Sequence, residues 1–119
     1  IIENYIRGIP APWAIQLIEN KKVIGSIGLN KLNKDFAEIG YVISNEFWNN
    51  GYGSEALGKI IEYCFAKLNI QTIYARCHPG NLASIKMLKK QGFKFDKSIE
   101  TEESTKDIMK ILHLYRLEK

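Results

Sequence analysis

The apolar residues change period at Gly51, and that change constrains the fold more than any other feature of the chain. Upstream, between Trp13 and Ser44, three runs alternate loosely and are separated by the turn formers Asn20-Lys21-Lys22 and Asn33-Lys34-Asp35. They read as strands over Trp13–Glu19, Val23–Leu32 and Phe36–Ser44, with connections short enough for an antiparallel meander. Gly25 and Gly28 stand in the second strand as weak points or bulges. Downstream, Leu57, Ile60, Ile61, Cys64, Phe65 and Leu68 fall at helical spacing, which predicts a helix of about five turns over Gly51–Asn69. Gln71–His78 is β-rich again. A strand, a helix and a further strand in succession require a crossover, so the strand at Gln71–His78 lies parallel or near-parallel to a neighbour.

The remaining elements follow from local signals. Pro79-Gly80 ends the strand, Asn81 can cap a helix running to about Gln91, and Gly92 suits its C-terminal cap. Phe93–Ile99 and Ile108–Leu117 read as two more strands joined by an acidic loop, Glu100–Asp107. At the start, Ile1, Ile2, Tyr5, Ile6 and Ile9 make one apolar stripe of a helix that Pro10 and Pro12 stop. The order is α-βββ-α-β-α-ββ. This is an α+β fold with a central mixed, mostly antiparallel sheet and flanking helices. Its 119 residues suit a single domain, 1–119, with room for one core.

Composition excludes more than it selects. A 45% hydrophobic and 25% charged chain is an ordinary globular one. No apolar run approaches the ~20 residues that span a bilayer, and no signal-peptide pattern opens the chain. The net charge of +4 is scattered among acids, without a dense basic block, so nucleic acid is a poor partner. Two cysteines, Cys64 and Cys77, are too few for a disulfide scaffold and fit buried thiols in a reducing, cytoplasmic setting. Nothing has metal-ligand spacing.

The segment Trp48-Asn49-Asn50-Gly51-Tyr52-Gly53-Ser54-Glu55 joins a strand to an amphipathic helix. Glycine lets the backbone turn tightly and approach a ligand, and a helix opening there directs free N–H groups at an anion. The turn lacks the Lys-Ser/Thr of a P-loop, and no distal acid completes a dinucleotide fingerprint.

Ala37-Glu38-Ile39-Gly40-Tyr41-Val42-Ile43, Phe47 to Ala56, His78-Pro79-Gly80-Asn81-Leu82-Ala83-Ser84 and Gly92-Phe93, in this order and spacing, resemble the GNAT superfamily of N-acetyltransferases. The similarity is greatest to the ribosomal-protein-alanine N-acetyltransferase-like branch. The resemblance implies acetyl-CoA as co-substrate, with its pyrophosphate on the backbone of Asn49, Asn50, Gly51, Tyr52, Gly53 and Ser54. It implies that Tyr41, Val42 and Ile43 pair their backbone with the pantetheine arm, and that Asn81 reaches the same arm. Asn49 and Asn50 stand where that branch carries a glycine and a basic residue. Family members carry a further strand and helix before the point where this sequence starts, so the domain is expected to be N-terminally incomplete.

Acyl transfer from a thioester to an amine needs a base for the amine, a polariser for the carbonyl and a proton for the leaving thiolate. Glu38 stands where the branch carries a carboxylate facing the acceptor, and it is the candidate base. The backbone N–H of Ile43 is the candidate polariser. Ser84 matches a serine near the cofactor sulfur and is the candidate acid. Many members instead place a tyrosine at the position of Leu88. His78 can help shape the acceptor site, and Cys77 has no histidine–acid pair around it for a covalent route. The expected reaction is N-acetylation of a primary amine, either a protein N-terminus or a small amine. The alternative is a catalytically degenerate module that binds CoA without turnover. A homodimer, in which a neighbouring chain completes the sheet, stays open.

Overall fold

The computed structural model describes residues 13–103 and 108–119. These residues form strands β1 (Trp13–Gln16), β2 (Val23–Leu32) and β3 (Phe36–Ile43), helix α1 (Tyr52–Ala66), β4 (Thr72–Cys77), helix α2 (Leu82–Lys90), β5 (Lys94–Glu103) and β6 (Ile108–Glu118). A short 3-10 turn at Asn45–Phe47 follows β3. The helix expected over residues 1–9 lies outside the described residues.

The strands make one sheet in the order β1-β2-β3-β4-β6-β5. Every pairing is antiparallel except β3–β4, which is parallel. The crossover through α1 therefore does what the change of period requires. Alternation along the strands sends Ala37 and Ile39 of β3 and Ile73, Ala75 and Cys77 of β4 to the helix-covered face, where they join Leu57, Ile60 and Cys64 of α1 and Leu88 of α2 in the core.

Boundaries moved for local reasons. β1 stops at Gln16 because Leu17 and Lys22 already close a turn, with Lys21 at φ 59 and the Asn20 side chain accepting from the Lys22 N–H. Helix α1 ends at Ala66, and Asn69 at φ 55 turns the chain so that Ile70 N–H bonds to Cys64 O. The bulge of β2 against β3 falls at Asn30, between Leu29 and Lys31, and not at Gly28, which lies in regular register opposite Gly40. The acidic loop is shorter than expected: Glu100–Glu103 belong to β5 and pair with Ile108–Ile111 of β6. Cross-strand pairing across a long ribbon outweighs the low strand propensity of glutamate.

Helix α2 has the ends its sequence announces. Asn81 Oδ1 accepts from Ser84 N–H at 3.1 Å. Gly92 adopts φ +98, and Gly92 and Phe93 N–H bond back to Lys89 and Leu88.

Candidate active site

The parallel pair β3–β4 is registered only from Phe36↔Thr72 to Ile39↔Ala75. Beyond that fork, Gly40–Ile43 pair with β2 alone and Arg76–Cys77 with β6 alone. Ser44 N–H bonds to Ile24 O on β2, so by antiparallel alternation Tyr41 and Ile43 direct their N–H and C=O groups away from β2, into the gap. The sheet thus carries inside itself an edge that no strand pairs, beside the N-terminus of α1, with the Ile43 carbonyl alone taken up, by Trp48 Nε1–H.

That N-terminus is open. Gly51, at φ 80, precedes the helix without a side-chain cap, and the first helical bond is Glu55 N–H to Gly51 O. The N–H groups of Tyr52, Gly53 and Ser54 are left for a ligand. The two glycines serve different ends. Gly51 supplies the left-handed turn, and Asn49 at φ 64 supplies a second one, which asparagine tolerates. Gly53 is needed for space: a Cβ there would lie 2.6 Å from Ile43 Cδ1 and 2.9 Å from Met87 Sδ. The loop is braced by Trp48 Nε1–H donating to Ile43 O at 2.8 Å and Asn50 Nδ2–H donating to Trp48 O at 3.0 Å. Ser54 is tied to α2, its hydroxyl and carbonyl both accepting from Gln91 Nε2.

On the same face, Tyr41 and Ser84 share a hydrogen bond of 2.5 Å between hydroxyl oxygens. Ser84 is buried at 8% exposure, on the first turn of α2. Burial raises the Tyr41 phenol above its usual value, partly offset by the Ser84 bond, so the phenol keeps its proton at neutral pH. Asn81 spends its carbonyl oxygen on the helix cap. Leu88 is fully buried in the core.

Glu38 faces the other way. It is buried at 6%, and its Oε1 accepts from Arg76 Nε at 2.5 Å. The pair borders an open cavity of about 370 Å³ on the face away from the helices, lined also by Ser26, Asn30, Gly40 and Val42. The Val42 side chain projects there and is 69% exposed.

The sequence-derived residues therefore form two groups separated by the sheet. The Asn49–Ser54 turn, Tyr41, Ile43, Asn81 and Ser84 lie toward the helices, and Glu38 and Val42 lie toward the cavity. The end of the β3–β4 pairing lies between the two groups. Cys77 is buried, and burial pushes its thiol up, which suits a packing role. His78 is exposed. Two features escaped sequence reasoning: Arg76 as the partner of Glu38, and the Tyr41 hydroxyl as the partner of Ser84. Only alternation on β4 hinted at the first, since Arg76 breaks the apolar run Ile73, Ala75, Cys77 from the opposite face. Among the described residues, no helix is long and apolar enough to cross a membrane.

A sheet that splits between two parallel strands, next to an uncapped glycine-turn helix, is the arrangement that the comparisons with known proteins find in acetyltransferase folds. Residues 2–94 match the acetyltransferase (GNAT) domain family, and the chain belongs to that family. Over 107 residues it is 33% identical to the uncharacterized N-acetyltransferase p20 of Bacillus licheniformis, covering 88% of this chain and 60% of that protein. It is 40% identical over 83 residues to the uncharacterized N-acetyltransferase YoaA of Bacillus subtilis, covering 68% of this chain and 47% of the relative. The chain thus spans about half to three-fifths of the length of these relatives. The fold matches a GNAT-family acetyltransferase from Bacillus anthracis with a TM-score of 0.81 at 24% identity, over 90% of this chain and 65% of that one.

Proposed function

We propose that this protein transfers an acetyl group from acetyl-CoA to a primary amine. The observation that carries the reading is the unpaired edge at Tyr41 and Ile43 beside the open end of α1. The residues present fit the co-substrate. The free N–H groups of Tyr52, Gly53 and Ser54 suit a pyrophosphate, and the strand edge suits an extended amide-bearing arm. No side chain need be charged for either contact, so Asn49 and Asn50 in place of a glycine and a basic residue leave the backbone cradle intact.

Acetyl-CoA supplies the acetyl thioester. The amine nitrogen forms a bond to the acetyl carbon, and the carbon–sulfur bond breaks. Glu38 takes the amine's proton, directly or through water, from the cavity side. The Ile43 N–H sits on the edge where it can polarise the thioester oxygen. Ser84, with Tyr41 behind it, gives a proton to the departing sulfur from the helix side. The two catalytic carriers thus work from opposite faces, and the fork brings their substrates together.

Thiol release from acetyl-CoA, followed with a panel of primary amines, tests this reading. Release that depends on amine, together with recovery of the N-acetyl product, supports it. CoA binding by calorimetry with no amine acetylated would overturn it and identify a CoA-binding module instead.

A further inference from the structure

The acetyl-transfer reading leaves the acceptor unnamed, and the Glu38–Arg76 pair bears on it. Each member uses only part of its bonding capacity. Arg76 Nε holds Glu38 Oε1, while no hydrogen bond among the described residues engages Glu38 Oε2 or the two terminal nitrogens of Arg76; since no buried polar side-chain atom among them is left without a partner, these atoms are open to solvent. Glu38 is held in the cavity wall at 8% side-chain exposure, and Arg76 keeps 33% of its side chain open to the same cavity. One wall therefore offers an acceptor for a cationic nitrogen immediately beside two parallel donors for a carboxylate. A guanidinium already fixed through Nε has its remaining fork pre-aimed, which favours a planar two-oxygen partner over a single charge.

We propose that the acceptor is a small amino acid. Its ammonium meets Glu38 Oε2 and its carboxylate meets the Arg76 Nη groups, which sets the nitrogen at the fork. The proposal rests on the acetyl-transfer reading only for the reaction; the recognition it describes is a property of the cavity. A cavity of about 370 Å³ accommodates such a molecule. A peptide N-terminus, whose neighbouring carboxyl is an amide, leaves the Arg76 fork unpaired, and a polyamine sets a second cation against it. Both are poor acceptors on this geometry. The step needs one proton transfer more than that of a neutral amine: Glu38 takes a first proton from the ammonium and passes it through water to solvent from the open cavity, which frees the nitrogen's lone pair, and it takes the second as the carbon–nitrogen bond forms and the carbon–sulfur bond breaks.

The test compares kcat/KM for amino acids, their amides and the corresponding amines without the carboxyl group. The wild-type protein is expected to prefer the acid by about 10- to 100-fold, the range of a single hydrogen bond to a charged group, since the half-open Arg76 fork stays partly solvated. Arg76→Gln is expected to bring the acid-to-amide ratio close to one, and Arg76→Lys to restore part of it. The ratio is the readout, since loss of Arg76 also disturbs Glu38 and lowers every rate. A wild-type preference for amides or polyamines, or an unchanged ratio in Arg76→Gln, overturns the proposal. Binding separates this from failure of the acetyl-transfer reading. An N-acetylated amino acid should raise the melting temperature of wild-type protein more than its N-acetyl amide does, and Arg76→Gln should abolish the difference. That result supports the cavity's specificity even if no amine turns over, and equal shifts for acid and amide overturn it.

Discussion

The hydroxyl oxygens of Tyr41 and Ser84 lie 2.5 Å apart, joining a strand at the split of the sheet to the first turn of α2. Where other members of the superfamily are expected to carry a phenol at the Leu88 position, this chain brings one in from β3. On the proposed mechanism, Tyr41 and Ser84 act as one proton-donating unit. Tyr41→Phe should lower kcat by about 10- to 100-fold with little change in KM for the amine, and Ser84→Ala by at least as much. The double variant should be no worse than Ser84→Ala alone, because the two hydroxyls act together. Additive losses in a double-mutant cycle of thiol-release rates would show independent roles.

Glu38→Gln should reduce kcat by about 100-fold or more if Glu38 is the base, while CoA affinity stays within about twofold, because Glu38 lies on the face away from the glycine turn. The substitution also leaves Arg76 without its anion. Since Arg76 stays partly exposed, the cost to stability should be about 1–2 kcal/mol, below that of a fully buried pair. Urea unfolding and calorimetric CoA titration of the same variant read the two effects separately.

Gly51→Ala and Gly53→Ala should differ in kind. Gly51 has open space around a Cβ but holds φ +80, so alanine should cost about 1 kcal/mol of stability. Gly53 is unstrained in φ, but a Cβ presses on Ile43 and Met87. Ile43 carries the unpaired edge, so Gly53→Ala should weaken CoA binding by about tenfold, or 1.4 kcal/mol. Thermal melting and calorimetry on both variants check the contrast.

Burial pushes the Cys64 thiol up from 9.0 to about 11. Its folded pKa lies above its unfolded one, so the folded state holds the proton more tightly. The contribution to stability is fully present below pH 9 and is lost as pH rises toward 11, on the order of 2–3 kcal/mol. Cys64→Ala should flatten that part of the stability-versus-pH curve measured in denaturant. An unchanged alkaline slope would show that Cys64 ionises normally in the fold.

Most of the fold was legible because its signals are local. Alternation marked β2 and β3, helical spacing marked α1, and Asn81 and Gly92 bounded α2. The glycine turn pointed to the anion site through backbone geometry, which depends on few neighbours. Element ends were less legible. Where β1 stops depends on a turn closed by Asn20 and Lys21, and the length of β5 depends on pairing with β6, so Glu100 looks like loop until its partner strand is present.

The sequence by itself determined the period of each element, the crossover that makes β3 and β4 parallel, and the residue types at the turn and helix caps. Each rests on chemistry within a few residues along the chain. Only the tertiary structure decided that β3 and β4 part after Ile39 and Ala75, that Tyr41 meets Ser84, and that Glu38 meets Arg76 on the opposite face. Those contacts join residues 38 or more positions apart, at 2.5 Å in both pairs. No local pattern encodes such a distance, because it is set by the register between strands and by how the two helices seat on the sheet.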